Sequence, residues 1–222
     1  MITFVICIKP SAELNPSVLA AQVASCLAVR DSRVVLGVSE SSELVRGVVD
    51  ENAKARGPAR VSYKVLDDKS LYDAWNRSLA FCDSRWTSFL GYGDLIVNSE
   101  HFNVAAADAR GDAMFSRVVI VSSRSSRIFG RQFRYSVHLL RQTAAFVGAM
   151  WDSEFLRRER FDESYVVAGD YEFLLRVGRG LRSTYKPVVS VAMPAGGLSE
   201  SAVDRARAEV ARARRLHIRS SW

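Results

Sequence analysis

The chain has 222 residues, 48% of them hydrophobic and 25% charged, which is typical of a globular protein that buries its own core. The formal net charge of +7 comes mainly from arginine and suggests an anionic partner, although an arginine-rich and alanine-rich composition also arises without such a function. The three cysteines are far apart and form no CxxC pair, which argues against a zinc ribbon and a disulfide framework.

Four apolar segments in the first half of the chain predict strands, at 2–8, 33–38, 60–66 and 85–91. The first two are apolar without interruption, as in strands that are buried on both faces of a sheet. No apolar run is long enough to cross a bilayer, and MITFVICI lacks the length and basic residues of a secretory signal. The sequence therefore predicts a cytoplasmic protein whose contact with a membrane, if it makes any, is peripheral.

Helix-start signals lie between these strands. Asn15 is a helix-capping residue type, and Pro16 suits the first helical position. A second helix is expected over 42–55, and Ser70 with Asp73 forms a possible capping box that opens a third. Strands that alternate with helices predict an α/β fold with a doubly wound, mostly parallel sheet flanked by helices.

Polar segments follow all four predicted strands. In a parallel sheet the ligand lies at the carboxyl ends of the strands, so we expect these segments along one edge. They lie around Pro10, Ser39-Glu40, Asp68 and Asp94. The fourth strand ends in GYGD, and glycine allows a ligand to approach the backbone closely.

The second half of the sequence is less regular. A strand is expected at 114–123 and a polar, mobile loop at 122–134. AGDYEFLLRV begins a helix, TYKPVVSVAM predicts the last strand, and a basic helix ends the chain. No linker is long enough to divide the sequence, so a single domain is predicted.

Three motifs occur in a specific order. DKSLYDAWNRSLAFCDSRWTSFLGYGD (68–94), FDESYVVAGDYEFLLRV (161–177) and GGLS (196–199) are similar to segments of the family 2 glycosyltransferases, inverting enzymes of the GT-A fold. The corresponding family patterns are DKGIYDAMNKGI…FLNADD, FDESFKIAADYDLLLRL and a GGVS loop before a basic helix. The resemblance covers roughly 60–200 and is weak over the first 55 residues.

The resemblance implies a GT-A-like fold and an inverting glycosyltransferase that moves a sugar from a nucleotide-diphosphate sugar to a hydroxyl acceptor. The product would belong to bacterial surface polysaccharide or glycolipid. The implied organisation is a domain over 1–200, with a donor half (1–97) and an acceptor and catalytic half (98–200), followed by a basic helix over 201–222.

The resemblance also implies a metal site. Mg²⁺ or Mn²⁺ usually clamps the donor diphosphate, and Asp94 stands at the last position of the family's DxD-like motif. The preceding acidic position is Gly93, which removes one ligand. Weak or donor-dependent metal binding is therefore expected.

Other residues are implied to lie beside the donor: Pro10, Ser39, Glu40, Asp68, Lys69, Asp73, Asn76 and Gly93. Lys69 would neutralise phosphate, whereas Asp73 and Asn76 would hold either the donor or the loop. Ordinary helix capping, which Ser70 and Asp73 can perform, is the alternative reason for polar residues at the start of this helix and needs no ligand. Many family members read the base of the nucleotide with an acid after the second strand, but Ser39-Glu40 there leaves the nucleotide unidentified.

Asp170 matches the catalytic base of the family, which takes a proton from the acceptor hydroxyl. On a helix it shares a face with Phe173, Leu174 and Val177, so it projects toward the apolar side. Desolvation there would raise its pKa and the helix N-terminus would lower it. A plain acid at a helix start is the alternative.

The terminal helix carries six arginines that would suit anionic lipid and a lipid-linked acceptor, or simply a solvated face. Two other functions are compatible with the sequence. Gly93 would also suit an inactive relative that binds sugar or nucleotide. The net charge would suit a nucleic-acid-binding module, but no nucleic-acid-binding motif occurs, so no nucleic-acid partner is expected.

Overall fold

The computed structural model describes residues 1–9, 14–57, 60–108, 110–198 and 202–219, so Pro10 lies outside the described residues. The strands are β1 Ile2–Ile8, β2 Ser32–Val38, β3 Val61–Val65, β4 Trp86–Leu90, β5 Leu95–Ile96, β6 Ala113–Val121, β7 Ser126–Phe129, β8 Met150–Asp152 and β9 Ser183–Pro194. The α-helices are α1 Pro16–Leu27, α2 Glu43–Arg56, α3 Leu71–Ser78, α4 Ser99–Asp108, α5 Tyr135–His138, α6 Ser153–Glu159, α7 Gly169–Val177 and α8 Val203–Arg219.

The described strands form one sheet in the order β3-β2-β1-β4-β8-β6-β9-β5, and β7 pairs with β6. The pairs β3/β2, β2/β1, β1/β4 and β6/β9 are parallel. Because β8 is antiparallel to both β4 and β6, β6 and β9 run in the same direction as β1 to β4. The predicted α/β fold with a mostly parallel sheet is therefore confirmed.

Helices cover both faces of this sheet. On β1, Phe4 and Ile6 face a core that α1, α2 and α4 complete, whereas Val5 faces a second core with α3, α6 and α7. Alternate residues of a strand point to opposite faces, so the uninterrupted apolar run of β1 serves both cores. No helix in the described part of the chain is long and apolar enough to cross a membrane.

The second core is aromatic and joins the two main motif segments. Trp75 of α3 stacks on Phe89 of β4, with ring centroids 4.4 Å apart. Phe161 lies 5.2 Å from Trp75 and 4.7 Å from Phe173 of α7, again between centroids. Such pairs add about 0.5–1.5 kcal/mol each beyond their buried area. The core therefore holds α3 and the start of α7 at a fixed separation.

The expectation of a mobile loop over 122–134 was wrong in part. Ser126–Phe129 forms β7, which pairs antiparallel with β6 from Val121↔Ser126 to Val118↔Phe129. The turn before it is held by the Ser122 hydroxyl, which accepts hydrogen bonds from the Arg124 and Ser125 N–H groups. A polar sequence suits this strand because most of its side chains are exposed.

The basic terminal helix packs onto the domain. Ala213 of α8 is fully buried, and Arg214 donates to the Tyr171 hydroxyl of α7 at 2.9 Å. Arg212 lies over the Tyr165 ring, 4.0 Å from its centroid. Two arginines that the sequence offered for lipid contact therefore bind the protein itself. The functional division at 97 and 200 stays a prediction.

Candidate active site

The carboxyl ends of β1 to β4 meet at one edge of the sheet. These strands are parallel, and the register pairs Ile8 with Val38 and Val38 with Val65 at their ends. The segments that follow lie along this edge and contain Ser39, Glu40, Asp68, Lys69, Gly93 and Asp94. Glu40 and Lys69 are exposed, whereas Asp94 is buried. Three of the four predicted polar segments thus follow the carboxyl ends of neighbouring strands, and the fourth, around Pro10, lies outside the described residues.

The GYGD turn after β4 is closed by its own carboxylate. Asp94 is 3% exposed, and its Oδ2 accepts a hydrogen bond from the Gly91 N–H at 2.6 Å. The Gln22 side chain of α1 donates to the Gly91 carbonyl at 2.6 Å and accepts from the Gly93 N–H at 3.0 Å. Asp94 therefore braces the turn at the edge where the donor was predicted.

Backbone geometry explains why glycine occupies position 93. Gly93 has a φ of 84°, which an L-residue with a side chain adopts only with strain. A Cβ at this position would also lie 3.3 Å from Cγ of Pro194. An acidic residue at this position would therefore be strained in this turn.

Metal binding would depend mainly on Asp94. Burial raises the pKa of Asp94 to about 7, although the hydrogen bond from the Gly91 backbone partly opposes this. Among the described residues, no three His, Cys, Asp or Glu side chains come together in a way that could hold a metal ion. A metal here would need further oxygen ligands from the donor and from water.

Asp73 braces the loop that precedes α3. Its Oδ2 accepts from the Lys69 N–H at 2.9 Å, and its Oδ1 accepts from Nε of Arg77 at 2.6 Å. Ser70 caps the helix by accepting from the Asp73 N–H at 3.3 Å, which is one half of the predicted capping box. The other half was wrong, because the Asp73 carboxylate accepts from the Lys69 N–H and not from the Ser70 N–H. Burial alone would raise the pKa of Asp73, but the hydrogen bonds from Arg77 and Lys69 outweigh it and lower the pKa. Asp73 thus fixes the loop that carries Asp68 and Lys69.

Asn76 joins α3 to the second motif. Its Oδ1 accepts from the Phe161 N–H at 2.9 Å, and its Nδ2 donates to the Phe161 carbonyl at 3.0 Å and to Oε1 of Glu163 at 2.8 Å. The residue is 3% exposed. The Asn76 amide therefore bonds to other protein groups. The sequence left open whether Asn76 holds the donor or the loop, and these contacts favour the loop.

Tyr72 brings the two motifs into direct contact. Its hydroxyl donates to the Val167 carbonyl at 2.9 Å and lies 3.4 Å from Oδ1 of Asp170. Its ring packs against Gly169, the first residue of α7. The motif after β3 therefore fixes the position of the predicted base.

Asp170 is half-buried and has two full hydrogen-bond donors. Its Oδ1 accepts from the Tyr171 N–H at 2.8 Å, and its Oδ2 accepts from Nε2 of Gln142 at 2.9 Å. The Tyr72 hydroxyl adds a longer contact to Oδ1, at 3.4 Å, because its one proton is shared with the Val167 carbonyl. Desolvation raises the pKa of this carboxyl, and the hydrogen bonds from Gln142, Tyr171 and Tyr72 offset the rise only in part. Of the two opposing effects expected from the sequence, burial is the stronger.

Glu209 of α8 was not found by sequence reasoning. Its carboxylate accepts hydrogen bonds from the N–H groups of Val166, Val167 and Ala168, all between 2.9 and 3.2 Å. These three residues directly precede α7. The terminal helix therefore holds the backbone that leads to Asp170.

The contact between Gly169 and Tyr72 can be tested by adding one methyl group. A Cβ at Gly169 would lie 2.6 Å from the Tyr72 ring, so Gly169→Ala should lower the free energy of unfolding by about 1–3 kcal/mol. Chemical denaturation measures this loss. Gly180→Ala is the matched control, because a Cβ there meets nothing within 4 Å. Equal stability of the two variants would contradict the tight contact.

No protein-family model and no curated protein matches the sequence. Solved structures do match: TarS from S. aureus has a TM-score of 0.69 at 15% identity, with 98% of this chain and 39% of TarS covered. TarS 1–349 in complex with UDP has a TM-score of 0.66 at 15% identity, with 98% and 65% covered.

The mannosyltransferase PcManGT from Pyrobaculum calidifontis, in complex with GDP-Man and Mn²⁺, has a TM-score of 0.66 at 14% identity. The alignment covers 95% of this chain and 64% of that one. The chain thus spans less than two thirds of the length of these neighbours. The likeness shows that the chain has the GT-A-like fold: a mixed α/β domain whose mostly parallel sheet is flanked by helices.

Proposed function

We propose that this chain is an inverting glycosyltransferase, resembling family 2, that moves a sugar from a nucleotide-diphosphate sugar to a hydroxyl acceptor. The observation that carries the proposal is the contact of the two motifs at Asp170. The Asp170 carboxylate lies at the start of α7, is desolvated by burial, and is 3.4 Å from the Tyr72 hydroxyl. Tyr72 belongs to the first motif, which begins after β3 at the carboxyl edge of the sheet. The fold shared with nucleotide-sugar enzymes supports it.

Asp170 would act as the general base. It takes the proton of the acceptor hydroxyl as that oxygen attacks the anomeric carbon and the nucleoside diphosphate leaves with the electrons of the broken bond. A single displacement of this kind inverts the anomeric centre. The raised pKa of Asp170 makes it a stronger base than an exposed aspartate.

The donor would lie along the carboxyl edge. Lys69 is exposed there, and its ammonium suits a diphosphate as a point charge. Asp68, Ser39, Glu40 and the Gly93 backbone are the further candidates, and Pro10 remains one from the sequence alone. Asp73 and Asn76 support the donor indirectly, through the loops that they fix.

A Mg²⁺ or Mn²⁺ ion would be held by Asp94 together with the donor, and it would neutralise charge on the leaving diphosphate. We expect Asp94→Asn to abolish Mn²⁺-dependent donor binding, because it removes the negative charge of the one carboxylate proposed to hold the ion. Isothermal titration of a nucleotide sugar with and without Mn²⁺ measures this. A variant that binds the donor with Mn²⁺ as tightly as wild type would remove Asp94 from the site.

The decisive experiment screens nucleotide sugars for thermal stabilisation, with and without Mn²⁺, because a ligand that binds the folded state raises its stability. Hits are then tested for donor hydrolysis, with water as the acceptor. Stabilisation without hydrolysis would favour an inactive sugar-binding relative, which the single buried carboxylate of the GYGD turn also suits. No stabilisation by any donor would contradict both.

The acceptor would be a saccharide, either free or linked to a lipid at the inner face of the cell membrane. The product would be surface polysaccharide or glycolipid. Peripheral lipid contact through α8 would rest on Arg207 and Arg215, which are exposed. Arg212 and Arg214 are less suited, because they already contact Ser164 and Leu140 of the protein.

A further inference from the structure

Gln142 contacts the proposed base, Asp170, and has no role in the function proposed above. It belongs to an irregular segment between α5 and β8, and its Nε2 donates to Oδ2 of Asp170 at 2.9 Å. Oδ1 of Asp170 accepts from the Tyr171 N–H at 2.8 Å, and the Tyr72 hydroxyl, whose proton is shared with the Val167 carbonyl, lies 3.4 Å from the same oxygen. A carboxylate oxygen has two acceptor positions. Two groups therefore approach Oδ1 and only Gln142 approaches Oδ2 among the described residues, so the more open position of the carboxylate lies on Oδ2, beside Gln142.

We propose that Gln142 is a positioning residue that orients Asp170, so that the open position of Oδ2 faces the acceptor hydroxyl. The inference rests on the proposed function. Two anchors are needed for such an orientation, because a carboxylate held only at Oδ1 can still swing its other oxygen. The Tyr171 N–H supplies the first anchor, with the Tyr72 hydroxyl beside it, and Gln142 supplies the second.

The segment around Gln142 does not need this side chain for its own structure. The Arg131 N–H donates to the Thr143 carbonyl at 2.8 Å, and the next three residues, Ala144, Ala145 and Phe146, are buried in the core. Gln142 itself is only half-buried. Its removal should therefore disturb Asp170 more than the fold.

The other ionisable groups around Asp170 are held by contacts that do not include Gln142, so we expect them to stay in place when Gln142 is changed. Tyr72 approaches from α3, and the His138 ring of α5 contacts the Tyr171 carbonyl at 3.1 Å. From α8, Glu209 holds the backbone before Asp170, and Arg214 contacts the Tyr171 hydroxyl. None of these contacts involves Gln142, so a change in the titration of Asp170 reports the lost hydrogen bond.

The test compares Gln142→Leu with Thr143→Val, a neighbouring change that leaves the amide donor intact. Loss of a donor to the charged form should raise the pKa of Asp170 by about one unit, so the acid limb of the kcat profile moves to higher pH by that amount. Misorientation should also lower kcat by about 10-fold, with the donor KM unchanged. Thr143→Val should keep the wild-type profile.

A second readout does not need activity. The Asp170 carboxyl is titrated by ¹³C nuclear magnetic resonance in wild type and in Gln142→Leu, and an upward shift in the variant is expected. An unchanged titration, or a loss of kcat that merely follows a loss of folded protein, would overturn the inference. An inactive wild-type protein would instead refute the proposed function, while the titration would still decide whether Gln142 controls Asp170.

Discussion

Replacing Asp170 with asparagine should lower sugar transfer by about 10²–10⁴-fold, the usual contribution of a general base. Asparagine keeps the size of the side chain but cannot take the acceptor's proton. Donor affinity should hardly change, because the base faces the acceptor hydroxyl and not the diphosphate. Transfer to the acceptor, or slow donor hydrolysis where the acceptor is unknown, measures the rate, and calorimetry measures donor binding.

Asp162→Asn is the matched control for charge. Asp162 lies in the same motif, where it accepts from the Ser164 N–H at 2.9 Å and pairs with Arg212 at 3.8 Å. Its variant should keep transfer within a few-fold of wild type. If Asp170→Asn loses donor binding in proportion to its stability, Asp170 is a structural acid at the helix start, and unchanged transfer refutes the assignment outright.

The sheet was largely predictable because its central strands are apolar on both faces. The predicted strand at 2–8 coincides with β1, and Asn15 caps α1 by accepting from the Ser17 N–H at 2.9 Å. Burial on both sides leaves an uninterrupted apolar run that a sequence reveals directly. The strand β7 lacks such a run because it exposes most of its side chains, so its polar sequence suggested a loop.

The site was predictable only where a motif is local. Asp170 follows from the second motif, but Gln142 is 28 residues away in sequence and carries no pattern of its own. Glu209 is 43 residues from Val166 and looks like an ordinary acid in a charged helix. The contacts of such residues depend on tertiary packing, which residue spacing along one chain does not encode.

The roles of Asp73 and Asn76 were open for a related reason. A polar residue at a helix start can cap the helix, fix a loop or bind a ligand with the same chemical groups. Asp73 is 4% exposed and Asn76 is 3% exposed, and each is engaged by at least two protein groups. The sequence gives the residue types, whereas burial decides which partner they reach.

Glu209 carries the second large effect that we expect. It is 7% exposed, and its carboxylate serves three consecutive N–H groups at residues 166–168. Truncation by Glu209→Ala leaves buried donors unpaired, at about 1–3 kcal/mol for each group that water cannot reach. We expect a loss on the order of 3 kcal/mol, or about 10 °C in melting temperature for a chain of this size.

Arg205→Ala provides the control. Arg205 donates to Oε1 of Glu209 at 3.1 Å but is largely exposed, so its loss should cost only about 0–1 kcal/mol. The two variants therefore separate the backbone contacts of Glu209 from its surface ion pair. Equal melting temperatures for both at neutral pH would contradict a supporting role for the carboxylate.

The pH dependence gives an independent check. Burial alone would raise the pKa of Glu209, but the hydrogen bonds from Ala168, Val167, Val166 and Arg205 outweigh it and hold the pKa below its ordinary value of 4.5. A carboxyl whose pKa is lowered by folding stabilises the protein above its unfolded pKa, and this stability is lost as the pH falls through the folded pKa. The stability gap between wild type and Glu209→Ala should thus be full at pH 6–7 (about two units above the unfolded pKa) and shrink below about pH 4.5. A gap that stays constant to the acid limit would mean that the charge of Glu209 does not hold the backbone before Asp170.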